Sequence, residues 1–158
     1  MMFGAMVVAM ATLATACGSS SSSTGSSGGS KDGGGVSTGG TAKGTPIAVD
    51  VGDTTGVTGP MTMTASPASV PAGKVTFTLK NAGTIEHEMI VVKTDTPFDQ
   101  LKVTAGKVSE ADSQGEVPEL AAGKTGTVTL DLTAGQYVLG CNIKDHYPMG
   151  MRVAFTVT

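Results

Sequence analysis

The feature that most limits what this chain can fold into is a period-two apolar pattern that starts at Pro46 and runs to the C-terminus, cut into short pieces by turn residues. In Lys74 to Lys80, Val75, Phe77 and Leu79 alternate with Thr76, Thr78 and Lys80, which gives one apolar and one polar face. Thr127 to Leu132 repeats this with Val128, Leu130 and Leu132, and Arg152 to Thr158 does so with Val153, Phe155 and Val157. Turn chemistry separates the runs at Pro71-Ala72-Gly73, Asn81-Ala82-Gly83, Ala122-Gly123 and Ala134-Gly135. The pattern predicts an all-β antiparallel sandwich of six to eight strands over residues 46–158. Met89 to Val92 is apolar at every position and reads as a central strand covered on both faces or near a site. The one candidate helix covers residues 98–105, with Asp95 or Thr96 as N-cap and Pro97 in the first turn. Residues 105–120 are polar and weakly periodic, and carry no assignment.

The chain before Pro46 cannot join that sandwich. Residues 18–45 contain 10 Gly, 9 Ser and 4 Thr, too little apolar surface to offset backbone ordering of roughly 1–2 kcal/mol per residue. As a flexible tether, such a stretch reaches on the order of 30 Å and raises the effective concentration of its domain near membrane partners. Residues 1–16 are uncharged and largely apolar, shorter than the roughly 18 residues of a spanning helix, and read as an export signal. Leu13-Ala14-Thr15-Ala16-Cys17 resembles the lipobox of bacterial lipoproteins. That resemblance implies that Cys17 becomes the lipidated first residue of the mature chain, holding the domain on the outer face of the cell membrane; a cleaved signal without lipid would leave it periplasmic or extracellular. The expected division is therefore a signal (residues 1–16), a lipidated tether (17–45) and one folded domain (46–158).

Charge and cysteine content narrow the function classes. The net charge is −3, and no Lys/Arg cluster appears, which argues against nucleic acid as a partner. Only Cys17 and Cys141 exist, and a lipidated Cys17 cannot form a disulfide. Cys141 is then a lone thiol in an oxidising compartment, which burial or a bound metal would protect.

The chemistry-bearing residues gather at two turns. Cys141, His146 and Met151 are spaced C-x4-H-x4-M in one loop, and His87, the other of the two His, opens the apolar strand upstream. Two imidazoles, a thiolate and a weak thioether form the ligand set of a blue-copper electron-transfer site. Met149 in the same loop is the alternative thioether. Zinc at these positions would leave the thioether unused, and a Cys/His nucleophilic site lacks an evident carboxylate to orient His146, although Asp145 is adjacent.

With Asn81 to His87 and the Cys141 to Met151 loop in view, the domain resembles the cupredoxins, the family of plastocyanin, azurin and auracyanin. The resemblance implies a Greek-key β-sandwich with one copper ion at one end. It assigns His87, Cys141 and His146 as strong equatorial ligands and Met151, in preference to Met149, as the axial one. It also implies that the C-terminal His is the electron port, here rimmed by Tyr147, Pro148 and Met149, an apolar surface suited to transient docking. Glu88 stands where plastocyanin and azurin have an Asn, which leaves the reduction potential open. The expected function is a monomeric, exported one-electron carrier, not an enzyme, serving redox partner proteins of the cell envelope. The alternative is a copper carrier or buffer that delivers metal without electron transfer.

Overall fold

Apolar alternation becomes paired strands because each half-buried face needs a second sheet to cover it. A computed structural model describes residues 43–158; the expected signal, Cys17 and the tether up to residue 42 lie outside the described residues. One sheet comprises β1 (Thr45–Asp53), β2 (Met61–Ser66), β4 (Gly73–Asn81) and β9 (Thr125–Leu132), in the order β2-β1-β4-β9. The other comprises β3 (Ser69–Val70), β5 (His87–Lys93), β8 (Ser113–Leu120), β10 (Gly135–Gly140) and β11 (Arg152–Val157), in the order β3-β11-β10-β5-β8. A two-residue pair, β6 (Val103–Thr104) with β7 (Lys107–Val108), completes the described strands. Eight of these strands have six or more residues, and the architecture is the expected Greek-key sandwich. Pairing is not wholly antiparallel, since β1 runs parallel to β4 and β3 parallel to β11. The parallel β1–β4 pair is possible because β2 and β3 intervene and bring the chain back to start β4 in the same direction.

The expected faces are the buried ones. Val75, Phe77 and Leu79 of β4 are wholly buried against β1, β9 and the opposite sheet, and each such side chain stabilises the fold by about 1.5–3 kcal/mol. Phe77 meets Phe155 of β11 edge-on, with ring centroids 5.2 Å apart. In β5 the period-two rule holds on both faces: Met89 and Val91 enter the main core, while Ile90 and Val92 enter a second cluster with Val108, Val138 and Tyr147. Residues 98–105 do not form the expected helix; they make a turn and run into β6. Only Leu101 of this stretch packs on the second cluster, and Phe98 stays partly exposed. So short a helix is stabilised by packing of its apolar face more than by its N-cap, and with Phe98 exposed that packing is missing.

Candidate metal centre

Three donors converge at one end of the sandwich. His87 is the first residue of β5, Cys141 follows the last residue of β10, and His146 lies in the loop leading to β11. All three are buried, and their ligand atoms lie within 4.8 Å of one another. The two Nδ1 atoms are 3.2 Å apart, and Cys141 Sγ is 3.4 Å from His146 Nδ1. Metal bonds of about 2.0 Å to imidazole and 2.3 Å to thiolate would set such donors about 3.5–3.7 Å apart around a trigonal ion. The triangle is thus close to the size a single ion needs, and its two nitrogens and one soft sulfur suit copper.

The ligand loop is held by its own backbone. Cys141 N donates to Met151 O (3.0 Å), His146 N to Ile143 O (3.0 Å), and Met151 N to His146 O (3.2 Å). Gly150 has φ of +111°, and a side chain there would press on Met61 O at 2.7 Å, so this position requires glycine. A brace grips the loop from outside. The buried Asn142 side chain accepts from Val108 N (2.9 Å) and donates to Val108 O (3.1 Å) and Glu110 Oε1 (2.5 Å). Tyr147 Oη donates to Phe98 O, and Asp145 N donates to Gly106 O (2.9 Å).

The turn that presents His87 is equally constrained. Asn81, fully buried, donates from Nδ2 to Ile85 O and Leu120 O (both 2.8 Å) and accepts at Oδ1 from Gly83 N (2.9 Å). Beside it, Asp53 at the end of β1 places Oδ2 3.0 Å from His87 Nε2, the ring nitrogen facing away from the donor triangle. Sequence reasoning missed Asp53 and looked only at Asp145, which is exposed and contributes its backbone. The local signal at Asp53 is an ordinary turn, Asp53-Thr54-Thr55-Gly56, with Gly56 N donating to Oδ1 (2.8 Å).

Burial favours the neutral forms of Cys141 and His146. It pushes the Cys141 thiol up to about 11, against the opposing pull of the Glu88 and Ile143 main-chain N–H groups. It also lowers the pKa of His146, with neighbouring His87 acting in the same direction. For Asp53 burial would raise the pKa, but the hydrogen bonds from Thr84, His87 and Gly56 win and hold its carboxyl well below the usual range. Glu88 is half-buried and its pKa is raised, first by burial and then by Glu119. Its main-chain N–H donates to Cys141 Sγ at 3.5 Å, so the contact across to the Cys loop does not depend on the side chain.

The thioethers and the expected rim sort themselves by burial. Met151 is wholly buried in the core cluster that contains Cys141, while Met149 is half-buried at its margin. Tyr147 is not part of a rim: it is buried, with its hydroxyl tied to Phe98 and its ring against Arg152, because the brace folds over it. Pro148 is exposed. The surface over His146 is instead an open hollow of about 440 Å³ lined by Val57, Ile85, Glu86, Glu119, Ile143 and His146.

The family model of the sulfocyanin (SoxE) domain matches residues 58–158. Among solved structures, dithionite-reduced auracyanin from the photosynthetic bacterium Roseiflexus castenholzii is similar, with 24% identity over 72% of this chain and 97% of that one and a TM-score of 0.54. Rusticyanin from Thiobacillus ferrooxidans is similar with 18% identity over 73% of this chain and 79% of that one, at a TM-score of 0.53. At these identities the structural likeness establishes the fold. No curated protein sequence matches the chain.

Proposed function

This chain belongs to the sulfocyanin (SoxE) domain family, a blue-copper domain of cupredoxin fold, and from that premise we propose that it is an exported one-electron carrier whose copper would be held by His87, Cys141, His146 and Met151. The observation that carries the reading is the buried triangle of two imidazole nitrogens and one thiol sulfur. Copper bound there would supply the Cu(I)/Cu(II) couple, and two nitrogens with one sulfur suit both states. The chain's part is to keep the donors where they are: β5 and the end of β10 fix His87 and Cys141, and the closed loop fixes His146. Four protein ligands leave no position for a substrate, which favours electron transfer over catalysis. His146, which lines the open hollow, would be the route for electrons to and from the copper, and a redox protein of the cell envelope would dock there. Lipidation of Cys17 would tether the domain at the membrane.

The test is spectroscopic. Copper-loaded, air-oxidised protein is expected to show intense visible absorption from the Cys141 thiolate, lost in Cys141→Ser. A colourless Cu(II) form that keeps its copper after that substitution would sink the reading. Reversible cycling at an electrode with slow loss of copper to a chelator is the expected behaviour; rapid exchange without reversible cycling would make the protein a copper carrier instead. Met151→Leu should change the potential and spectrum, and Met149→Leu should leave both near wild type; the reverse would exchange their roles.

A further inference from the structure

A buried carboxylate is costly unless it is heavily hydrogen-bonded, and Asp53 meets that condition at a position that matters to the copper site. Its side chain and that of His87 are both fully buried. Oδ1 accepts from Gly56 N (2.8 Å) and Thr84 Oγ1 (2.5 Å). Oδ2 accepts from Thr84 N (2.7 Å) and Ile85 N (3.4 Å), and faces His87 Nε2 at 3.0 Å. All the other donors belong to the two turns beside the site, so the carboxylate is aimed and cannot swing away. Gly83 leaves room for this approach: a Cβ there would collide with Asp53 Oδ2 and lie 2.8 Å from His87 Nε2.

The geometry points to Asp53 as a positioning residue for the copper site, one that keeps the proton of His87 on Nε2, turns the Nδ1 lone pair toward the metal and adds a negative charge behind that ligand. The inference rests on the copper reading above and extends it to a residue outside the ligand set. A carboxylate behind a ligating imidazole fixes its tautomer and raises its basicity. An anion near the metal also favours the more highly charged oxidised state, so Asp53 holds the reduction potential down.

Two measurements test this. In metal-free wild-type protein, nitrogen-15 NMR of the imidazoles should show His87 protonated at Nε2 and bare at Nδ1. The opposite tautomer would overturn the inference. This readout needs neither copper nor a variant, so it stands whether or not the blue-copper reading survives and whether or not Asp53→Asn folds. In Asp53→Asn, chelator competition should show Cu(II) affinity reduced about 10–100-fold and Cu(I) affinity reduced less, with a higher potential. A tenfold difference between the two losses corresponds to about 59 mV for one electron. Thr84→Val removes one hydroxyl donor to Oδ1 but keeps the carboxylate behind His87, so it should cost stability while leaving the His87 tautomer unchanged and the potential near wild type. A folded Asp53→Asn with wild-type potential and both affinities unchanged would reduce Asp53 to a turn clip and overturn the proposal.

Discussion

At the scale of single residues, burial holds the Cys141 thiol and the His146 imidazole toward their neutral forms until metal arrives. The Cys141 thiol, pushed up to about 11, is protonated in the metal-free protein at neutral pH, and copper must displace that proton because only the thiolate ligates. Below pH 11 the thiol therefore adds one proton released per copper bound, and each unit of falling pH weakens uptake about tenfold through this residue alone. Proton release measured in weakly buffered solution should be one fewer per copper in Cys141→Ser than in wild type; equal release would show that the thiolate preexists. The three donors that converge were legible in the sequence because the chain has just two His and one Cys beyond Cys17, and Cys141 and His146 share one loop. Asp53 was not, since it reaches His87 from 34 residues away. That approach depends on β1 lying parallel to β4 with Val51 opposite Asn81, which sets Asp53 against the Gly83 turn, and local periodicity contains no trace of such a pairing.

At the scale of elements, the segment between β5 and β8 takes on a structural role that its composition hid. Its turn and the β6–β7 pair lie over the outer face of the β5–β10 sheet and hold the ligand loop through Asn142, Asp145 and Tyr147. The expectation of a helix over residues 98–105 failed because a stretch this short needs its apolar face packed, and of Phe98 and Leu101 only Leu101 is. The expectation of Tyr147 as a docking residue failed because its coverage comes from a distant segment. Strand faces, by contrast, were readable, since alternation in β4 and β11 reports burial directly. Asn142→Ala removes three hydrogen bonds and strands buried main-chain groups of Val108, so unfolding in urea should show a loss of about 1–3 kcal/mol. Tyr147→Phe deletes the single bond to Phe98 O and should cost about 1 kcal/mol. An Asn142→Ala protein as stable as wild type would show that the segment lies on the loop without bracing it.

At the scale of the whole molecule, the domain surrounds His146, the proposed electron port, with a charge that the flat net value of −3 does not reveal. The hollow over His146 combines three apolar side chains, Val57, Ile85 and Ile143, with the carboxylates of Glu86 and Glu119, and among the described residues no Lys or Arg lines it. Val57 is 65% exposed, a free apolar surface beside the port. Apolar contact there allows close approach of a partner, while the two carboxylates bias which partner approaches, since rim charges act chiefly on association rate. At about 0.1 M ionic strength charges are screened beyond about 10 Å, so the bias belongs to these nearby groups more than to the remote ones. Reduced protein should therefore pass its electron faster to a small cationic cobalt(III) complex than to an anionic oxidant of matched driving force, and added salt should narrow the gap. Reversing both charges, with Glu86→Lys and Glu119→Lys, should invert the order of the two oxidants without altering the visible spectrum, because neither side chain is a ligand. Rates insensitive to both salt and charge reversal would place the exit for electrons on another face of the sandwich.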